Sequence, residues 1–177
     1  MSKILILTGS PRKGGNTDRL AAAFSQGARE NNDIEVISIA DVKVSPCIGC
    51  NACFMREGNT CVQRDDMDLI YDRLKEADTL IIASPVYFYG VSAQMKAVID
   101  RLHTPMRNCF GLKKLGLIMV GAAELPELFD SILTQYRLVL NFFKLEDIGT
   151  VLVRGAGEKG SVTESSLKEA YELGRSI

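Results

Sequence analysis

Four thiols fall within fifteen residues, Cys47, Cys50, Cys53 and Cys61, in the spacing C-x2-C-x2-C-x7-C. Cysteines set two residues apart can wrap one iron–sulfur cluster, with a more distant fourth completing the set. Zinc sites more commonly split their ligands into two pairs separated by a dozen or more residues. The spacing favours a cluster over free redox-active thiols, and both over zinc, and leaves all three open. A second stretch with chemistry in it is Gly9-Ser10-Pro11-Arg12-Lys13-Gly14-Gly15-Asn16-Thr17. Where such a run leaves a strand and opens a helix, free backbone N–H groups and the helix dipole converge on one point, a seat for phosphate. Ser10, Asn16 and Thr17 add side-chain donors there, Arg12 adds charge, and the glycines let the backbone close around an anion.

Missing residues narrow the phosphate. A nucleoside-triphosphate loop needs Gly-x-x-x-x-Gly-Lys-Ser/Thr, and Gly9 and Gly14 have the spacing, but Gly15 and Asn16 occupy the lysine and hydroxyl positions. The dinucleotide pattern Gly-x-Gly-x-x-Gly fails at Pro11. A mononucleotide with a terminal phosphate remains, and FMN leads that list. Ser84-Pro85-Val86-Tyr87-Phe88-Tyr89-Gly90 carries three consecutive aromatics, which cannot all enter one core. At least one ring is expected to border a cleft where a planar ligand packs, the alternative being contact with a neighbouring subunit. Gly121-Ala122-Ala123 offers a third wall of small residues.

Elements that position these loops can be read from hydrophobic periodicity. Continuous apolar runs suit strands buried on both faces, at Lys3 to Thr8, Ile34 to Ala40, Thr79 to Ser84, Lys114 to Gly121 and Glu146 to Val153. Between them, three- and four-residue spacings predict helices at Thr17 to about Asn31, Asp66 to Glu76, Val91 to Leu102, Leu125 to Phe142, and from about Ser161 onward. Strict alternation with right-handed crossovers gives an α/β class chain, a three-layer α/β/α sandwich on a five-stranded parallel sheet of order 2-1-3-4-5. Ligands bind beyond the carboxyl ends of such strands, at the switch point between the first and third. The expectation is a single domain over 1–177, with a cysteine-rich insertion at about 41–64 that far exceeds an ordinary connection.

The chain has 177 residues, 46% hydrophobic, with a net charge of −1, so it has no overall field to attract nucleic acid or anionic lipid. No run approaches the ~20 apolar residues of a membrane span, and the opening residues do not resemble a secretion signal. A cytoplasmic protein without nucleic-acid or membrane partners is expected, and reduced thiols with it. Asp65 and Asp66 read as helix-capping residues, Cys109 as a small buried residue, and His103 as a helix-end imidazole without catalytic duty. No nucleophilic constellation of the Gly-x-Ser-x-Gly kind is present.

The glycine loop, the Ser-Pro-Val-Tyr-Phe-Tyr-Gly segment and Met95-Lys96-Ala97-Val98-Ile99-Asp100-Arg101 resemble the flavodoxin-like NADPH-dependent FMN reductase family over most of the chain. The cysteine motif followed by Asp65-Asp66-Met67 is similar to that family's iron–sulfur flavoprotein branch. The resemblance implies FMN, with its phosphate on Ser10, Arg12, Asn16 and Thr17 and its ring on Pro85, Val86, Tyr87 and Phe88, to which the small-residue wall read above adds Gly121. It implies a [4Fe–4S] cluster on Cys47, Cys50, Cys53 and Cys61 beside FMN. It also implies a homodimer or homotetramer in which the cysteine loop of one subunit approaches the flavin of another. Tyr89, Phe110 and Tyr136 are the aromatics to inspect for such an interface. The activity implied is flavin-dependent oxidoreduction with NAD(P)H or a redox protein as donor and a small-molecule acceptor. The rivals are a flavodoxin-like electron carrier that turns over no small molecule, and a thiol or zinc redox sensor without flavin.

Overall fold

The computed structural model describes residues 2–177. Five strands form one parallel sheet in the order β2-β1-β3-β4-β5: β1 Ser2–Thr8, β2 Asn32–Ser38, β3 Thr79–Pro85, β4 Lys114–Val120 and β5 Glu146–Val153. The helices are α1 Asn16–Ala28, the single turn α2 Ala52–Met55, α3 Met67–Glu76, α4 Ala93–Arg101, α5 Asp130–Phe143 and α6 Glu164–Arg175.

Alternate side chains of a strand face opposite layers, and here both layers are apolar. Ile4 and Ile6 of β1 join Leu20 and Phe24 of α1 and Ala170 of α6 on one side. Leu5 and Leu7 join Ile70 and Leu74 of α3, Val98 of α4 and Ile132 of α5 on the other. The first layer closes tightly because two glycines meet: a Cβ on Gly27 would lie 2.0 Å from the Tyr171 carbonyl oxygen, and one on Gly174 would lie 2.1 Å from that of Phe24. α1 and α6 therefore touch backbone to backbone.

Boundaries differ from the periodicity where polar side chains intervene. α1 ends at Ala28, where the Asn32 side chain donates to the Ala28 carbonyl (2.9 Å) and the chain passes directly into β2. β2 stops at Ser38, and Ile39–Asp41 form a 3-10 turn instead of more strand. α5 begins at Asp130 rather than Leu125, since Arg154 binds the carbonyls of Leu125 (3.0 Å) and Pro126 (2.7 Å). α6 begins where Thr163 accepts from the Ser166 N–H at 3.1 Å, a side-chain cap. Among the described residues no helix is long and apolar enough to cross a membrane.

Candidate functional site

β1 and β3 lie side by side with Thr8 opposite Ala83, so the loops that follow them open on the same edge of the sheet. Gly9 continues the pairing by donating to the Ala83 carbonyl (2.7 Å), and a Cβ there would lie 2.9 Å from that of Met95. The chain then curls: Ser10 Oγ accepts from the Arg12 N–H and donates to the Arg12 carbonyl, both at 3.2 Å, and Gly15 N–H donates to the same carbonyl at 3.1 Å. α1 starts from Gly15 with no side-chain cap, whereas α4 is capped by Ser92. The N–H groups at the start of α1 are thus left for an incoming acceptor.

These residues line a cleft of about 690 Å³, counting its part open to solvent. Its walls are Ser10, Arg12, Asn16 and Thr17 on one side, Pro85, Val86 and Tyr87 on another, and Val120 at the end of β4 with Ala122 just after it. Val86 N–H is fixed to the Val120 carbonyl at 2.7 Å, which holds the second wall to the sheet.

Several expected ligands take other places. The Asn16 side chain faces the loop after β5: Nδ2 donates to the carbonyls of Ala156 (3.0 Å) and Glu158 (2.7 Å), and Oδ1 accepts from Gly160 N–H (2.8 Å). Its side-chain donors are committed there, and what it can offer an anion is its backbone N–H. Phe88 is 96% exposed and is not part of the cleft wall. Phe88 and Tyr89 form the tip of a two-residue turn, closed by Tyr87 N–H to the Gly90 carbonyl (2.9 Å), with positive φ of 47° and 63°. Such turns ordinarily carry Asn or Gly, so two aromatics there store strain. Gly121 is also outside the wall, packed where a Cβ would lie 2.4 Å from Leu128 Cδ2.

Ala156, Gly157 and Lys159 supply a fourth wall that sequence reasoning missed. The signal was present: Gly155-Ala156-Gly157-Glu158-Lys159-Gly160 is a second glycine-rich run just past a strand's carboxyl end. Lys159 Nζ donates to the Lys13 carbonyl (3.0 Å) and Arg19 Nη1 to the Gly160 carbonyl (2.8 Å), joining this loop to the first. Arg12 and Lys159 bring positive charge to the cleft.

The cysteine segment is zipped at both ends and open in the middle. Lys43 pairs with Asp66 by N–H to Oδ2 (2.7 Å) and by Asp66 N–H to its carbonyl (3.0 Å). Ser45 N–H donates to Asp65 Oδ2 (2.9 Å), and Gln63 Nε2 to the Pro46 carbonyl (3.0 Å). Asp65 Oδ1 also accepts from Met67 N–H (3.2 Å) as a cap would, while Asp66 caps nothing with its side chain. Asp65 in addition forms a buried salt bridge with Arg101, at 2.6 Å, which the capping reading did not contain.

All the cysteines are free thiols; Cys47 and Cys50 are exposed, Cys53 and Cys61 half-buried. Among the described residues no three His, Cys, Asp or Glu side chains gather into a metal-holding group, and no cysteine lines the cleft. The donor chemistry nevertheless fits a thiolate-bound group. Gly49 N–H points at Cys47 Sγ (3.5 Å), and the Cys61 carbonyl accepts from Arg56 Nη1 (3.4 Å).

Cys109 is exposed, not buried, and Tyr136 is buried, its hydroxyl shared between the Leu115 carbonyl (2.8 Å) and Asp147 (2.7 Å), so it is no interface aromatic. Phe110 is half-buried against Tyr71 and Tyr89 is exposed. His103 lies past the end of α4 between the rings of Phe54 (5.8 Å) and Phe142 (5.5 Å). An apolar pocket between α4, α5 and the sheet, lined by Leu102, Ile132 and Val139 among others, holds no converging charged groups.

Residues 2–159 match the family described as NADPH-dependent FMN reductase. The chain belongs to this family. An iron-sulfur flavoprotein of Methanocaldococcus jannaschii is 45% identical over 125 residues, covering 69% of this chain and 63% of that protein, less than two thirds of its length. Another, from Archaeoglobus fulgidus, is 33% identical across 99% of this chain and 78% of its own. These relatives place the chain in the iron–sulfur flavoprotein branch of the FMN reductase family. The fold of an NAD(P)H:quinone oxidoreductase from Methanothermobacter marburgensis superposes with a TM-score of 0.78, at 17% identity and 98% coverage of both chains.

Proposed function

We propose that this chain is an FMN-dependent oxidoreductase that passes electrons from NAD(P)H or a redox protein to a small acceptor. The observation that carries the reading is the cleft at the carboxyl ends of β1, β3, β4 and β5. An uncapped helix start, Arg12 and Lys159 meet there with a flat, partly apolar wall of Pro85, Val86 and Tyr87. That is the complement of a phosphate joined to a planar ring. Ser10, Arg12, Thr17 and the backbone N–H of Asn16 would hold the phosphate, and Pro85 to Tyr87 would orient the ring and exclude water from one face. Bound FMN supplies hydride acceptance and one-electron transfer, which no side chain provides.

On the same reading the domain runs over 1–177, and Cys47, Cys50, Cys53 and Cys61 hold a [4Fe–4S] cluster, which supplies single electrons. Because no cysteine lines this chain's own cleft, the cluster would serve the flavin site of a second subunit in a homodimer or homotetramer. Exposed Ile48, Phe54 and Met55 on the cysteine segment and Phe88 at the cleft mouth are apolar surface available for that contact.

The test is the visible spectrum of protein purified without oxygen, before and after dithionite, with iron and acid-labile sulfide assayed on the same sample. Flavin bands on a broad bleachable background with about four irons per chain are expected. Flavin bands without iron would remove the cluster and leave the reductase. A colourless protein that takes up no FMN would remove the reading altogether. Steady-state NAD(P)H oxidation with a quinone acceptor then separates an enzyme from an electron carrier.

A further inference from the structure

A triphosphate-binding loop carries a lysine where this chain has Gly15. Lys13 is the one lysine between Gly9 and Thr17 and the obvious substitute, but its side chain points elsewhere. It pairs with Asp41 and lines a groove with Asp18, Ser38 and Asp41 that shares no residue with the cleft.

The lysine that does line the cleft is Lys159, 146 residues further on. It arrives from β5, the edge strand beyond β4. The chain leaving β5 is fastened first to the end of β4, where Ala156 N–H donates to the Gly121 carbonyl (2.9 Å). It is fastened next to the first turn of α1, by the Asn16 side chain and by Arg19 Nη1 to the Gly160 carbonyl (2.8 Å). These ties bring Lys159 Nζ to the first loop, where it donates to the Lys13 carbonyl (3.0 Å) and stands 3.8 Å from where a Cβ on Gly14 would be. An ammonium has three N–H donors, so two remain.

Charge makes the case more specific. Among the described residues Lys159 is in no ion pair, and no carboxylate lines the cleft. Arg12 and Lys159 are its charged lining residues, two positive charges at one end. A phosphate monoester carries roughly −1.5 to −2 at pH 7.

We propose that Lys159, and not Lys13, is the lysine that neutralises the ligand's phosphate. With Arg12 it selects a terminal phosphate monoester, the dianionic end of a mononucleotide, over the same ring without one. The inference rests on the FMN reading above. A compact charge on a flexible stem suits the task, since Nζ can keep its bond to the loop while its other N–H groups turn to the anion.

The experiment titrates FMN and riboflavin, which has the same ring without the phosphate, into the full chain stripped of flavin, by fluorescence quenching. Wild type, Lys159→Met and Lys13→Met are compared. Methionine keeps an unbranched stem and removes the charge. Both lysines are exposed, so thermal unfolding of the stripped proteins is expected to be unchanged.

Wild type is expected to bind FMN more tightly than riboflavin. In Lys159→Met, FMN binding weakens roughly tenfold or more, the value of a charge-assisted hydrogen bond, and riboflavin binding stays as it was. In Lys13→Met both ligands stay within about threefold of wild type, as for an exposed ion pair. Unchanged FMN affinity in Lys159→Met, or a larger loss in Lys13→Met, would overturn the assignment. Equal losses of FMN and riboflavin in Lys159→Met would make the residue a support for the loop and overturn it as well. A wild-type chain that binds both ligands equally would remove the phosphate seat and this inference while leaving a flavin site. One that binds neither would remove the FMN reading and this inference together.

Discussion

The loop after β1 and the cysteine segment are both irregular backbone carrying reactive side chains, but they are restrained in opposite ways. The first is tied along its whole length, by Ser10 to Arg12, by Gly14 N–H to Asp18 (2.7 Å), and by Asn16 and Lys159 to the loop after β5. The second is tied at Lys43, Ser45 and Pro46 to the residues just after Cys61, and from Cys47 to Cys61 it is exposed or half-buried. An anion seat built from backbone N–H groups must be shaped before its ligand arrives, because those groups cannot be re-aimed one at a time. Thiolates that bind metal can instead be drawn together by what they bind, since binding free energy is also ordering free energy.

Four perturbations break or sharpen this contrast. The largest falls on the anchor of the second segment. Arg101→Met leaves the Asp65 carboxylate buried without its partner, and a loss of about 3–5 kcal/mol in urea unfolding is expected. The same pair fixes a pH dependence. Burial raises the Asp65 pKa, but Arg101 and the N–H groups of Ser45 and Met67 outweigh it and leave the pKa below 3.8. A depressed carboxyl contributes stability that is complete above its unfolded pKa and disappears as pH falls through the folded one. The stability gap between wild type and Asp65→Asn is therefore expected to be constant above pH 5 or so and to close in the acid range. A gap that widened on acidification would contradict the ion pair.

Next in size is Gly27→Ala, whose Cβ would meet the Tyr171 carbonyl oxygen at 2.0 Å. Backbone must move, at about 1–3 kcal/mol, and FMN affinity should fall with it while iron content does not. Thermal unfolding beside a flavin titration reads both. Arg12→Ala comes third: apo stability stays within about 0.5 kcal/mol because Arg12 is exposed. FMN is expected to bind roughly 10- to 100-fold more weakly, the value of a charge-assisted hydrogen bond, as seen by fluorescence quenching. The smallest effect has the opposite sign. Phe88→Asn with Tyr89→Gly places residues suited to positive φ in the turn and should stabilise the fold by about 1 kcal/mol. Unchanged or lower stability would mean that the aromatic tip is held by contacts worth more than its strain.

The five strands were legible because continuous apolar runs have few alternatives, and the observed order is the one expected of such strands when helical crossovers join them. What periodicity could not supply were partnerships across the chain. Asn16 looks like a ligand in a glycine-rich loop, and only its bonds to residues 156–160 reveal it as a tie between two loops. Asp65 looks like a cap because Met67 is two residues away, whereas Arg101 is 36 residues away. The start of α5 differs for the same reason, the carbonyls of Leu125 and Pro126 ahead of it being taken by Arg154 from beyond β5. The four walls of the cleft divide similarly: three were found from local composition, and the one after β5 needed the topology to bring Lys159 back to Lys13.

The tie between Asn16 and Ala156 also orders events during synthesis. Its partners are 140 residues apart, and the helix that packs on α1 through Gly174 is made later still. At roughly 5–20 residues per second, the first loop waits on the order of ten seconds or more on the ribosome before it can be completed. Flavin capture thus needs the chain through β5 and the loop after it, and a nascent polypeptide halted before β5 is expected to emerge with the phosphate-loop residues present and the affinity absent.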